Sequence, residues 1–402
     1  MTNINAKRSL PDILKRARRL RGRQVKWRRH LHRYPELSFM EHKTTAYLTE
    51  VVRKLALIVR PIKLQTGLLA ELRGERPGPT VAIRADMDGL PVHEQTSLPF
   101  RSRNDGRMHA CGHDMHMAVA LGTAAILSRM KENLPGVVRF IFQPGEEMPP
   151  GGARPMIENG ALDNVKIIFG LHVDPTVETG SIGLRDGGTM GSVTDFDLTI
   201  HGRSGHAARP HEAVDAIAVA GEVVQAIQQL VSREIDPIMP VVVSFGRIEG
   251  GSARNVIADQ VKLTGTARAL SVKAGRELTR RIKRVGGAVC RARSARMEMT
   301  VVGAYPPLVN HPAANRILRR CYEGLFPKGK ITLTPPVLGG EDFACYLERV
   351  HGAMFRLGIR NGKIGADKPW HSPEFIADEE ALVVGTSLLV ASVMDYLDVV
   401  AK

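Results

Sequence analysis

Three short apolar runs, residues 80–83, 137–142 and 165–171, constrain this chain most, because each passes at once into polar or acidic residues. The first runs into Arg-Ala-Asp-Met-Asp (84–88), the second into Gln-Pro-Gly-Glu-Glu (143–147) and the third into His-Val-Asp (172–174). Strands without polar alternation are covered on both faces. Between the first two lies an Ala-, Met- and Leu-rich segment, at about residues 115–132, that reads as a crossing helix. The pattern predicts a mostly parallel α/β sheet, preceded by helices over 11–33 and 41–57 with Pro35 breaking between them. Ligands of such sheets bind beyond the carboxyl ends of the strands. All three chemically rich segments fall there.

From about residue 192 the periodicity changes. Residues 193–201 alternate apolar and polar, as a half-buried strand does, and a helix (212–233), strands 241–248 and 260–269, a helix (272–293) and a strand (297–302) follow. That β-α-β-β-α-β order predicts a ferredoxin-like α+β sandwich. Residues 303–402 return to helical patterns around a glycine-rich segment, 338–343. A chain of 402 residues exceeds one ordinary core. The reading is a catalytic α/β domain in two pieces, 1–190 and 303–402, interrupted by a compact domain over 191–302.

The net charge of +15 raises the question of a nucleic-acid or membrane-surface binder. Most of it is local: residues 1–33 carry twelve Lys/Arg, from Lys7 and Arg8 to Arg33, against the single acid Asp12. A second basic stretch spans 273–296. Without stacking aromatics or a nucleic-acid motif, both read as solvated helix faces, and neither nucleic acid nor membrane is expected as a partner. An Arg-rich, acid-poor N-terminus also fits an organelle transit segment, and no apolar run is read as a membrane span. The four cysteines, Cys111, Cys290, Cys321 and Cys345, form no CxxC pair, so a disulfide framework is not expected and the cytoplasm is the expected compartment.

Residues 109–116 (His-Ala-Cys-Gly-His-Asp-Met-His) are the densest cluster of potential metal ligands. In extended backbone, residues two apart project to one side, so Cys111 and His113 can serve one metal pair. Thiolate with imidazole suits zinc and other borderline divalent ions. A lone Cys-x-His is more often a buried cysteine beside helix-capping histidines. Glu146 and Glu147 follow a strand, and extended neighbours point in opposite directions, so one carboxylate can face a metal and the other a water. Elsewhere such a pair is often a solvated acidic turn. His172 closes the third strand at the ligand edge, where a satisfied core histidine is the alternative. His371 is ambiguous by itself. Asp86 and Asp88 end the first strand on one side, and Asp88 is expected to orient a ligand without binding metal.

Together these segments resemble the peptidase/amidohydrolase family of bimetal hydrolases, which includes aminoacylases, hippurate hydrolases, N-acetyl-diaminopimelate deacetylases and auxin-conjugate hydrolases. The similarity runs through residues 30–36, 84–91, 109–116, 143–147, 170–173, 205–210, 253–257, 265–268, 340–343 and 371–373. It implies a zinc-peptidase-like catalytic domain with a lid and dimerisation domain, and two divalent ions (Zn, or Mn, Co or Ni) per subunit. It makes Cys111, His113, Glu147, His172 and His371 the metal ligands and Glu146 the general base. It also implies that His206 stabilises the oxyanion, often in a partner subunit, and that Asn255 and Arg268 hold the substrate's carboxylate or amide oxygen. From pattern alone, Asn255 equally fits a turn and Arg268 a surface strand cation. The chain departs from its relatives at His351, where proline is usual, and at Trp370, where an aliphatic residue is usual.

The implied activity is hydrolysis of N-acyl amino acids by a homo-oligomer, a dimer or tetramer. The rivals are a dipeptidase or carboxypeptidase with the same centre and, more remotely, a basic nucleic-acid or membrane-surface binder with a vestigial one.

Overall fold

Apolar side chains recur along the first helix at Ile13, Ala17, Leu20, Trp27 and Leu31, a helical stripe that turns several of its cations outward. The computed structural model describes residues 4–400, with side chains from residue 10, so the side chains of Lys7 and Arg8 lie outside those described. Helix α1 (Ile4–Arg33) begins before the expected boundary and carries Pro11 inside it. Lys15, Arg18, Arg19 and Lys26 are exposed, but Arg28 is buried, against its reading as part of a solvated face. It donates to Asp114 at 2.7 Å and to Glu379 at 3.3 Å, which supply the counter-charge a buried guanidinium requires. Helix α2 (His42–Lys54) follows.

The chain divides into two compact units, the first comprising residues 1–187, 309–335 and 345–402, the second 188–308 and 336–344. In the first unit lie strands β1 (Ile58–Arg60), β2 (Leu68–Arg73), β3 (Arg76–Asp86), β4 (Pro135–Gln143), β5 (Val165–Glu178) and β6 (Ile182–Leu184). Among the described residues, these and two later strands form an eight-stranded sheet. Its central ladders, β4 with β3 and β3 with β5, are parallel, while β1 with β2 and β2 with β4 are antiparallel, so the sheet is mixed. Strand β5 runs on past His172 to Glu178, so this histidine stands within the strand and not at its end.

Across β2 and β4, Glu71 faces Arg139, which donates to it from two nitrogens at 3.1 and 2.7 Å. Arg139 also caps the carbonyls of Gly160, Ala161 and Asp163. Burial alone raises the Glu71 carboxyl, but Arg139 and Arg60 outweigh it and hold it below the usual range.

Helix α3 (His113–Ser128) is buried from His113 to Leu127, which explains why it shows no polar face.

In the second unit, strands β7 (Ser192–His201), β8 (Val241–Gly250), β9 (Gln260–Ala269) and β10 (Arg296–Tyr305) pair in the order β8-β9-β7-β10, all antiparallel. Helices α4 (Ala216–Arg233) and α5 (Val272–Ala292) cover the sheet, in the ferredoxin-like order that the alternation predicts. Helix α4 starts later than expected because Asp215 caps it, accepting from the N–H groups of Ile217 and Ala218. In α5 the buried Ala274, Leu278, Ile282, Gly286 and Cys290 form one stripe, which leaves Lys273, Arg276, Arg280 and Lys283 exposed. Residues 336–344 group with this unit and not with the C-terminal part of the first, held by the Gly191 N–H on the Gly339 carbonyl at 3.0 Å.

The first unit is completed by α6 (Pro312–Leu325), β11 (Ile331–Leu333), β12 (His351–Arg360) and α7 (Ala381–Val400). Strand β12 pairs in parallel with β5 and antiparallel with β6, and β6 pairs in parallel with β11. By length and composition α7 could cross a membrane, contrary to the sequence reading. It packs instead against α1, α3 and the sheet, with residues 381–393 buried. The four cysteines are free and buried.

Candidate metal centre

Everything around His113 follows from how the chain enters α3. Gly112 adopts φ +86°, the left-handed region, and a Cβ there would lie 2.4 Å from Cγ2 of Val173. Only glycine meets both demands. The turn makes His113 the first residue of α3, so Cys111 and His113 converge through a left-handed corner and not, as expected, along an extended segment. Ligand atoms of Cys111, His113 and His172 lie within 4.8 Å of one another, with Cys111 Sγ 3.4 Å from His172 Nε2.

The hydrogen bonds fix which ring atoms face the centre. His113 Nδ1 lies 2.9 Å from the carbonyl of Asp88 and 3.2 Å from its Oδ1, so Nδ1–H donates outward and Nε2 points in. His172 Nδ1 donates to the Val173 carbonyl at 2.8 Å, leaving Nε2 for Cys111's side. His116 differs, because its Nε2 accepts the Val173 N–H at 3.0 Å and its Nδ1 therefore donates to Asp86 at 2.5 Å. With both nitrogens engaged, His116 braces the site and has no lone pair for a metal.

A second glycine corner delivers the carboxylates. Gly145 has φ +63°, and a Cβ on it would meet the Phe39 ring at 2.4 Å. Its N–H donates to Glu41 at 2.8 Å. The following residues form a bend and not an extended strand, so the expectation that Glu146 and Glu147 point apart does not hold. Ligand atoms of His113, Glu146 and Glu147 lie within 4.8 Å of one another, and so do those of Cys111, Glu147 and His371. His371 Nε2 is 3.3 Å from Glu147 Oε1, and the residue holds φ +65°, pinned by its N–H on the Ala110 carbonyl at 2.9 Å. A left-handed non-glycine residue costs roughly 1–3 kcal/mol and marks a place where geometry outranks comfort.

The charges are those of a cation site. Burial alone lowers the His113 imidazole, but Asp86, Asp88 and Glu147 outweigh it and push it up to about 10. Burial and then Glu147 and Glu146 push the Cys111 thiol well up, while burial, His116 and Arg356 hold His172 well below its usual value. His113 Nε2 is buried without a hydrogen-bond partner, and the buried Glu147 Oε1 has the His371 ring at 3.3 Å without a well-formed hydrogen bond. Such orphans beside a thiol, imidazoles and carboxylates fit a borderline divalent ion, whose binding expels protons from its ligands.

Cys111, His113, Glu146, Glu147, His172 and His371 are thus brought together, with Asp88 behind His113 and its Oδ2 accepting the Glu147 N–H at 3.0 Å. His206, Asn255 and Arg268 belong to the second unit. There His206 pairs with Val256 in a two-residue ladder, the Ala207 N–H donates to the Asn255 carbonyl at 3.1 Å, and Arg268 donates to the Leu338 carbonyl at 3.3 Å. The sequence reading assigned no role to His116, Glu41 or Ser38, whose hydroxyl donates to Asp88 at 2.7 Å. His116, three residues after His113 at a helix start, carried the one usable signal.

The chain matches Peptidase family M20/M25/M40 over residues 82–395. It is 39% identical to an N-acetylcysteine deacetylase of Bacillus subtilis, covering 90% of this chain and 94% of the relative. It is 38% identical to thermostable carboxypeptidase 1 of Saccharolobus solfataricus, over 90% of this chain and 92% of that one. Among solved structures, a Bacillus subtilis protein described as a dinuclear metal binding peptidase superposes with a TM-score of 0.82 at 35% identity, covering 95% of this chain and 99% of that one.

Proposed function

The chain belongs to peptidase family M20/M25/M40, a family of metal-dependent amidohydrolases and peptidases, and from that premise we propose that it hydrolyses N-acyl amino acids to a carboxylic acid and a free amino acid. The observation that carries this reading is the sharing of Cys111 between two ligand groups, one with His113 and His172, the other with Glu147 and His371. One thiolate serving both groups supports a pair of divalent ions, zinc or one of manganese, cobalt and nickel. When bound, the ions acidify a water and polarise the substrate carbonyl.

The chain's own residues do the rest. Glu146, within 4.8 Å of His113 and Glu147, accepts the proton of the attacking water and returns it to the leaving amine. Asp88 holds the His113 ring with Nε2 inward. His206 donates to the oxyanion, and Asn255 and Arg268 hold the substrate's carboxylate or amide oxygen. The second unit, residues 188–308 and 336–344, serves as lid and as the contact of a dimer or tetramer. Buried free cysteines support a cytoplasmic setting.

The Saccharolobus relative supports a second reading, a carboxypeptidase with the same centre. A hydrolysis panel separates the two: N-acetyl and N-benzoyl amino acids against unblocked dipeptides, on protein reloaded with each metal. Preferred cleavage of the N-acyl substrates is expected. Faster turnover of the dipeptides replaces the first reading with the second.

A further inference from the structure

Trp370 touches the candidate centre without offering it a ligand atom. Its indole N–H donates to the Val173 carbonyl at 2.9 Å, the same oxygen that accepts His172 Nδ1 at 2.8 Å. Two donors use both lone pairs of that oxygen, so indole and imidazole are oriented by one atom. The two rings also meet edge to face, with centroids 5.6 Å apart at an interplanar angle of 88°. That geometry is one of the two favoured for an aromatic pair. Arg356, opposite His172 in the β12–β5 ladder, places its guanidinium 5.6 Å from the indole centroid. The next residue along the chain is His371, held in its left-handed conformation.

We propose that Trp370 is a positioning residue that fixes the His172 ring, with Nε2 toward Cys111, and ties it to the backbone presenting His371. The inference rests on the reading of His172 and His371 as metal ligands. The indole N–H fixes the direction of the Val173 carbonyl, the carbonyl fixes the Nδ1–H tautomer, and the ring edge blocks rotation of the imidazole. An aliphatic side chain at position 370 can fill space but supplies neither the N–H nor the flat contact.

The test uses the full chain, stripped of metal and titrated with cobalt(II) against a chelator. Trp370→Phe keeps a ring and removes the donor, and Trp370→Leu removes both. Losing such an outer support weakens metal binding by about 10- to 100-fold. The Phe variant is expected near the lower figure and the Leu variant near the upper, each with displaced cobalt d–d bands and an unchanged far-ultraviolet circular dichroism spectrum. Cobalt should also quench tryptophan fluorescence in the wild type and quench it less in Trp370→Phe, where Trp27 is the one tryptophan left. Wild-type affinity and bands in both variants, or a change confined to KM, overturn the proposal while the metal reading stands. A wild-type chain that takes up no cobalt overturns the metal reading, and the proposal falls with it. Should the Leu variant fail to fold, the Phe variant decides.

Discussion

Oδ1 of Asp88 lies 3.2 Å from Nδ1 of His113, while the other ring nitrogen, Nε2, lies 3.9 Å from Oε1 of Glu147. The backbone carbonyl of Asp88 lies nearer still, at 2.9 Å, so the imidazole N–H has two acceptors from one residue. An Asp88→Asn variant keeps the carbonyl and loses the charge. Its metal affinity, by chelator competition, is expected to fall about 10-fold, the lower end for an outer-shell change. Unchanged affinity would mean that the carbonyl alone orients the ring.

Glu146→Gln removes a proton acceptor without changing size. Turnover of an N-acyl amino acid should drop by at least about 10² to 10⁴, the usual share of general acid–base catalysis, with full metal content by elemental analysis. A variant that keeps turnover, or loses its metal, removes Glu146 from that role.

Gly112→Ala combines two penalties, the left-handed φ of +86° and a Cβ 2.4 Å from Val173 Cγ2. The first costs about 1–2 kcal/mol and the second about 1–3 kcal/mol. A lowered denaturation midpoint and weakened metal binding should appear together, because the same corner starts α3 at His113. A stable variant with weak metal binding would show that the corner relaxes.

Glu71 gives a pH dependence far from the metal ligands in sequence. Its carboxyl is held below the usual range, so its contribution to stability is fully present above the unfolded value, near pH 4.3, and is lost as pH falls through the folded value. Glu71→Gln leaves Arg139 buried without its counter-charge, a loss of about 3–5 kcal/mol for breaking a buried pair. The gap between wild type and variant, from chemical denaturation, should be constant above about pH 5 and close progressively below about pH 4. A gap that widens in acid contradicts the assignment.

What could be seen in the sequence was whatever depends on near neighbours in the chain. The runs at 80–83 and 137–142 are largely apolar because they lie inside the sheet, and composition carries that, whereas Arg139 within the second run is admitted only by its pairing with Glu71 across the β2–β4 ladder. The paired ligands at Cys111 and His113 were visible, but the corner between them was not, since it depends on the approach of Val173 from another strand. His116 gave the same difficulty: its partners Asp86 and Val173 come from β3 and β5, and only their joint presence removes it from the ligand set. Arg28 was counted with the surface cations because its acids, Asp114 and Glu379, are far off in sequence. Helix α1 was expected from residue 11 but begins at Ile4, with Pro11 inside it.

Strand β12, residues 351–360, fills the slot between β5 and β6, although all of residues 188–308 separate it from both in the chain. A nascent polypeptide therefore emerges with the His172 strand bare along one edge while the whole second unit is still being made. Unpaired edges recruit other chains, so this interval is when the protein most needs shielding by chaperones. Shortening the chain before residue 351 would leave that edge open for good and turn a transient hazard into aggregation.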